Sequence, residues 1–130
     1  MQYANAYQES KRYAIESLSK GEVVVKLFEE ATKQLKMAII FTEREENVKA
    51  YNAIVKCQKI VSSLNLSLDM QYPISIELSE MYGFIHTKLG EVAVSRDLQL
   101  MNDIWSLIND LKDSFKEAEK MSKLTPARGL

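Results

Sequence analysis

The chain has 130 residues, of which 46% are hydrophobic and 27% charged, which suits one globular domain with a single core. Its formal net charge of −1 excludes a general attraction to nucleic acid or anionic lipid. The sequence contains a single cysteine, and its N-terminus lacks the pattern of a signal peptide. No apolar stretch approaches the roughly 20 residues that are needed to span a bilayer. We therefore expect a cytoplasmic protein that is not embedded in a membrane.

The beginning of the chain predicts a short arm followed by a first helix. Residues 1–18 have no sustained apolar stripe, and we interpret them as an N-terminal arm. The first helix is expected over about 19–43, because Ser19 and Glu22 form a capping box that satisfies free backbone amides. Its apolar face has the spacing of three and four residues typical of an amphipathic helix. The face comprises Val24, Leu27, Phe28, Ala31, Leu35, Ala38 and Phe41.

A second helix is predicted over about 47–70, with Asn47 as its N-cap. We expect it to end before Pro73, since proline restricts the preceding residue and cannot continue the hydrogen-bond ladder. Its apolar face comprises Ala50, Ile54, Cys57, Val61, Leu64 and Leu68.

Two further helices complete the pattern. The third is predicted over about 75–94 with Ser75 as its cap, and the fourth over about 97–122 with Asp97 as its cap. Residues 125–130 read as a flexible tail. Four amphipathic helices with short connections predict an all-α, antiparallel up-down-up-down four-helix bundle.

Little in the sequence points to catalysis or to a bound metal. His86 is the single histidine and Cys57 the single cysteine, whereas a zinc site needs several converging ligands. Cys57 lies on the expected core face, where a free thiol packs as a small hydrophobic group. A Cys–His nucleophilic pair stays open as an alternative, although it lacks any visible orienting or oxyanion-stabilising motif. We expect a protein that is not an enzyme and has no cofactor and no metal.

Surplus apolar residues outside the predicted core faces point to protein binding. Helix 2 carries a second stripe of Tyr51, Val55 and Leu66, and Phe84 lies off the main face of helix 3. Similar outer positions are occupied by Met37, Ile40, Leu100 and Leu107. A wide core stripe would explain each residue singly. Together they suggest a groove for amphipathic helices.

Several motifs in order resemble the flagellin-specific export chaperones, the FliS family, from about Ala6 to Ala118. The start Asn5-Ala6-Tyr7-Gln8 is similar to the tyrosine-bearing N-terminal signature of that family. The other matching motifs are Ser19-Lys20-Gly21-Glu22-Val23, Leu27-Phe28-Glu29-Glu30-Ala31, Lys56-Cys57-Gln58-Lys59-Ile60-Val61, Ser67-Leu68-Asp69, Met81-Tyr82 and Asp97.

The resemblance implies a cytoplasmic type III secretion chaperone. Such a protein binds the disordered C-terminal segment of flagellin, prevents premature polymerisation and keeps flagellin competent for export. It makes the flagellar export gate a further candidate partner and the N-terminal arm a candidate cover of the binding groove. The expected partner-binding residues are Tyr7, Ile15, Tyr51, Val55, Leu66 and Phe84. The alternative is a helical adaptor that binds another amphipathic helix or weakly self-associates.

Overall fold

The computed structural model describes residues 20–124, which form four helices joined by short turns and no strand. We number these helices in chain order, and the sequence analysis predicted all four. Their bounds are Lys20–Glu43 (α1), Asn47–Leu66 (α2), Pro73–Ser95 (α3) and Leu98–Leu124 (α4). The expected all-α four-helix bundle is confirmed. The predicted arm, the Ser19 cap and the predicted tail lie outside the described residues.

α1 is the central element of the bundle, because it packs extensively against both α2 and α4. α3 packs mainly on α2 and contacts α4 over a shorter stretch. Thr42 near the end of α1 contacts Met101 near the start of α4, so these two helices run antiparallel. The Phe28 ring packs against the rings of Tyr82 and Phe115, with centroid separations of 6.2 and 5.0 Å, and thereby joins α1 to α3 and α4.

The buried core follows the helical faces expected from the sequence. Its fully buried large side chains come from all four helices: Phe28, Leu35, Ile54, Leu64, Ile85, Leu89, Met101 and Ile108. No buried side-chain nitrogen or oxygen between residues 20 and 124 lacks a hydrogen-bond partner. Since buried polar groups without partners are costly, the core of the described residues carries no such penalty.

The prediction that helix 2 extends to residue 70 is wrong, because α2 ends at Leu66. Ser67 terminates it: its backbone N–H donates to the carbonyls of Ser63 and Leu64, and its hydroxyl donates to the Leu64 carbonyl at 2.7 Å. Leu68 nevertheless packs against the core from the turn. A half-buried leucine after the helix therefore continues the apolar pattern beyond the true helix end.

Two of the predicted N-caps are also wrong. α3 begins at Pro73, whose fixed φ angle suits the first helical position, and Tyr72 is the N-cap in extended conformation. The Ser75 hydroxyl donates instead to the Asp69 carbonyl at 2.6 Å and closes the α2–α3 turn. Asn47 is the first residue of α2, and the N-cap Glu46 makes no side-chain cap bond.

The predicted cap of the fourth helix is confirmed. The Leu100 backbone N–H donates to the Asp97 carboxylate at 3.1 Å, and the Met101 N–H donates to the Asp97 carbonyl at 3.0 Å. Asp97 thus satisfies an amide at the N-terminus of α4, where its negative charge is also favoured by the helix dipole.

The backbone at the end of α1 is strained at Glu45, and a glycine at this position would remove the strain. The N–H groups of Glu45 and Glu46 bond to the carbonyls of Thr42 and Phe41, which is a Schellman motif, and Glu45 has a φ of 60°. We predict that Glu45→Gly raises the free energy of unfolding by about 1 kcal/mol, since glycine adopts this conformation without a Cβ penalty. Chemical denaturation measures the change.

The control is Lys33→Gly, at an exposed position inside α1. There we expect a loss of about 1 kcal/mol, because glycine is a poor former of right-handed helix. Equal destabilisation by both variants would contradict the assignment of strain to Glu45.

Candidate partner-binding surfaces

Cys57 lies in the core, as expected, and its surroundings oppose a nucleophilic role. The Sγ atom donates to the Ala31 carbonyl at 3.5 Å, and burial raises the pKa of the thiol to about 12. The thiolate is therefore scarce at neutral pH, although it is the reactive form. His86 is exposed on α3. Within residues 20–124 no three His, Cys, Asp or Glu side chains are grouped as metal ligands would be, and no helix there is long and apolar enough to cross a membrane.

We predict that Cys57 resists modification by an aromatic disulfide reagent at pH 8 in the native protein and reacts at once in denaturant. Both its burial and its raised pKa keep the thiol unreactive while the bundle is folded. Release of the coloured thiolate measures the reaction. Rapid stoichiometric modification of the native protein would show that the core around Cys57 opens readily.

The second stripe of α2 lies on the surface. Tyr51 is 52% exposed and Leu66 86% exposed, whereas Val55 is half-buried. Val48, at 75% exposure, extends the same face toward the start of the helix, because it precedes Val55 by two helical turns. These side chains do not belong to the core, so the alternative of a wide core stripe does not explain Tyr51 or Leu66.

The α2 stripe borders a groove between α2 and α3. The Gln58 side-chain amide donates to the His86 carbonyl at 3.2 Å, and a Cβ at Gly90 would lie 3.4 Å from the same Gln58 nitrogen. Gln58 follows Tyr51 by seven residues, so both face α3. Below this contact the groove has a volume of about 320 Å³ and is lined by Val61, Ser62, Asn65, Tyr82, Gly83, His86 and Thr87. We call this region, with the α2 stripe, the α2–α3 surface.

Phe84 lies on a different side of the bundle. It precedes Gly90 by six residues, which places the two about 120° apart around α3. Phe84 is 54% exposed and does not line the α2–α3 groove. The Lys88 ammonium lies 5.6 Å from the centre of its ring. The structure therefore places Phe84 on the flank of α3 that faces α4, apart from Tyr51, Val55 and Leu66.

The flank that carries Phe84 has apolar neighbours on both helices. Met81 on α3 and Leu107 and Leu111 on α4 are partly buried and pack against the core. Ile74, in the first turn of α3, is 61% exposed. We call this region the α3–α4 surface. Sequence reasoning noted Leu107 but missed Ile74, since the expected helix began only at Ser75.

One end of the bundle has a small apolar pocket of about 310 Å³. It lies where the α2–α3 turn meets the beginning of α1 and the second half of α4. Its lining includes the half-buried Val24, Leu68, Leu78 and Phe115 and the exposed Tyr72. Sequence analysis gave no reason to expect it, because the pocket depends on how the turn after Leu66 folds back.

A wider groove of about 710 Å³ runs between α1 and α4 at the same end. Charged side chains of both signs line it, and Lys123 bonds to Glu22 at 2.7 Å across the groove. The two helices approach closely here, because a Cβ at Gly21 would collide with the Glu119 carboxylate. These mixed charges distinguish this groove from the two apolar surfaces.

Comparison with known proteins decides the family. The sequence profile described as "Flagellar protein FliS" matches residues 3–122, nearly the whole chain. The chain belongs to the FliS family. Two relatives are each named flagellar secretion chaperone FliS. That of Bacillus subtilis (strain 168) is 20% identical over 118 residues, covering 91% of this chain and 89% of the relative.

The second relative, from Salmonella typhimurium (strain LT2), is 24% identical over 124 residues, covering 93% of this chain and 92% of the relative. Membership of the FliS family and these two names support a role as a flagellar export chaperone. The profile match also spans most of the arm, including the nominated Tyr7 and Ile15, which lie outside the described residues.

Proposed function

We propose that this FliS-family protein is a cytoplasmic secretion chaperone that binds the disordered C-terminal segment of flagellin. The bound segment cannot take part in contacts between flagellin subunits, so polymerisation is prevented and flagellin stays competent for export. The observation that carries the proposal is the exposure of Tyr51, Leu66 and Phe84 around a closed core. Tyr51 and Leu66 belong to one exposed apolar surface and Phe84 to another, and exposed apolar surfaces on a soluble protein mark sites of protein binding.

The energetics favour an extended surface over a pocket. Ordering a disordered client segment costs roughly 2–5 kcal/mol. Burying about 1,000 Å² of apolar surface releases on the order of 25 kcal/mol before association and ordering terms, which consume most of it. The α2–α3 and α3–α4 surfaces together run along three helices, so a segment that folds into helices can contact both.

The partner-binding residues that we propose are Tyr51, Val55 and Leu66 on the α2–α3 surface and Phe84 on the α3–α4 surface. Tyr7 and Ile15 of the arm are proposed to contribute as well, with the arm covering part of the same surface before the client arrives. We further propose the flagellar export gate as a second partner, which receives the loaded chaperone. No catalytic step and no cofactor are part of this function.

The proposal is tested by co-elution of the purified protein with flagellin in size-exclusion chromatography. We expect full-length flagellin to co-elute and flagellin lacking its C-terminal helix-forming segment to elute alone. Equal co-elution of the two would contradict the proposal. A stable homodimer in light scattering that is insensitive to flagellin would favour the adaptor alternative instead.

We predict that Tyr51→Asp and Leu66→Asp each weaken binding of flagellin at least about tenfold, or about 1.4 kcal/mol, because each places a charge in an apolar contact. Titration calorimetry measures the affinity, and thermal unfolding should change little because both side chains are exposed.

The matched control is Lys56→Gln, which lowers the net charge by the same one unit at an exposed position about 160° around α2 from Gln58. We expect it to leave flagellin binding unchanged. If Lys56→Gln weakens binding as much as Tyr51→Asp, the effect is one of net charge and the α2–α3 surface is not the contact.

A further inference from the structure

The α3–α4 surface is bordered by acidic side chains on both of its helices. On α3, Glu77 and Glu91 lie two helical turns before and after Phe84, so all three share one flank. On α4, Asp103 and Asp110 lie seven positions apart and share one flank in the same way. All four carboxylates are exposed.

α4 carries its lysines, together with part of its acidic residues, on the side that faces α1, and Asp103 and Asp110 on another side. Trp105 marks the side that faces α1, since its indole N–H donates to the Thr32 carbonyl at 3.1 Å. Lys112 follows Trp105 by seven residues, and Lys123 bonds to Glu22 of α1, so both lysines belong to that side. Leu107 follows Trp105 by two residues and therefore lies about 160° around the helix from it, on the opposite side. There it is a neighbour of Asp103 and Asp110. The acidic border therefore faces α3 and not α1.

The lysine on the α3–α4 surface does little to offset this border. Lys88 lies over the Phe84 ring, and its ammonium is 3.3 Å from the Glu91 carboxylate. Its charge is thus already shared with one of the border carboxylates. The floor between the two borders is apolar, with half-buried Met81, Leu107 and Leu111 beside the exposed Phe84.

We propose that the α3–α4 surface docks an amphipathic helix whose apolar stripe is flanked by lysine or arginine. The apolar floor matches the stripe, and the acidic borders match the flanks, which is the complementarity that steers association and selects among partners. A second copy bound through the same surface would bring acidic borders together, because a two-fold interface is self-complementary. Like charges at such an interface are unfavourable.

This inference deepens the proposed function and rests on it for the nature of the partner as an export client. Its own content is the charge pattern of the docked helix, which does not depend on flagellin. The inference can therefore fail while flagellin binding holds, and flagellin binding can fail while the charge pattern holds.

The test uses two synthetic helical peptides with the same leucine and alanine stripe, one flanked by lysine and the other by glutamate. Titration calorimetry with the full chain gives the affinity of each. We expect the lysine peptide to bind about tenfold or more tighter in low salt, and the ratio to shrink near 1 M salt, where the screening length falls to about 3 Å.

Two variants locate the effect. The double variant Asp103→Asn and Asp110→Asn should lose the preference for lysine, while Phe84→Ala should weaken both peptides. The matched control removes two exposed carboxylates on α1, with the changes Glu30→Gln and Glu43→Gln. It should retain the preference.

Several outcomes would overturn the inference. They are equal affinity of the two peptides, failure of both to bind, or loss of the preference in the control variant as well as in the double variant. If Tyr51→Asp weakens peptide binding and Phe84→Ala leaves it unchanged, the helix docks on the α2–α3 surface instead. A homodimer that dissociates on mutation of Phe84 would make a second copy the occupant.

Discussion

The packing of Phe28 against Tyr82 and Phe115 is the contact on which the remaining structure depends. Phe28 is 1% exposed and comes from α1, the helix that packs extensively against two others. Its ring joins α1 to α3 and α4, which contact each other over only a short stretch. Because the bundle closes its own core in this way, the outward apolar side chains of α2 and α3 are not part of the core and stay exposed.

These exposed apolar side chains lie on two surfaces that differ in polarity and charge. The α2–α3 surface combines Tyr51, Val55 and Leu66 with small and neutral polar residues around Gly83 and Gly90. The α3–α4 surface has an apolar floor with acidic borders. The proposed binding of a client, with release that uses no nucleotide, calls for contacts that are extensive yet individually weak. Two separate apolar surfaces suit that proposal.

The helical period predicted the four helices and most of the core, since burial on one face is strong enough to dominate the sequence pattern. Asp97 was a reliable cap because its carboxylate has no competing partner in the turn. Ser75 misled the prediction because a tertiary contact, its bond to the Asp69 carbonyl, replaces the cap. The placement of Phe84 apart from the α2 stripe could not be predicted either, because it depends on which flank of α3 meets α2, a matter of helix packing.

The central claim is that a preformed bundle holds a segment that folds on its apolar surfaces. The heat-capacity change on binding the C-terminal segment of flagellin tests it most directly, because burial of apolar surface makes this quantity negative. Titration calorimetry at several temperatures measures it. For about 1,000 Å² of buried apolar surface the account predicts a change on the order of −0.4 kcal/mol/K. A value near zero would mean that polar contacts hold the client and would contradict the account.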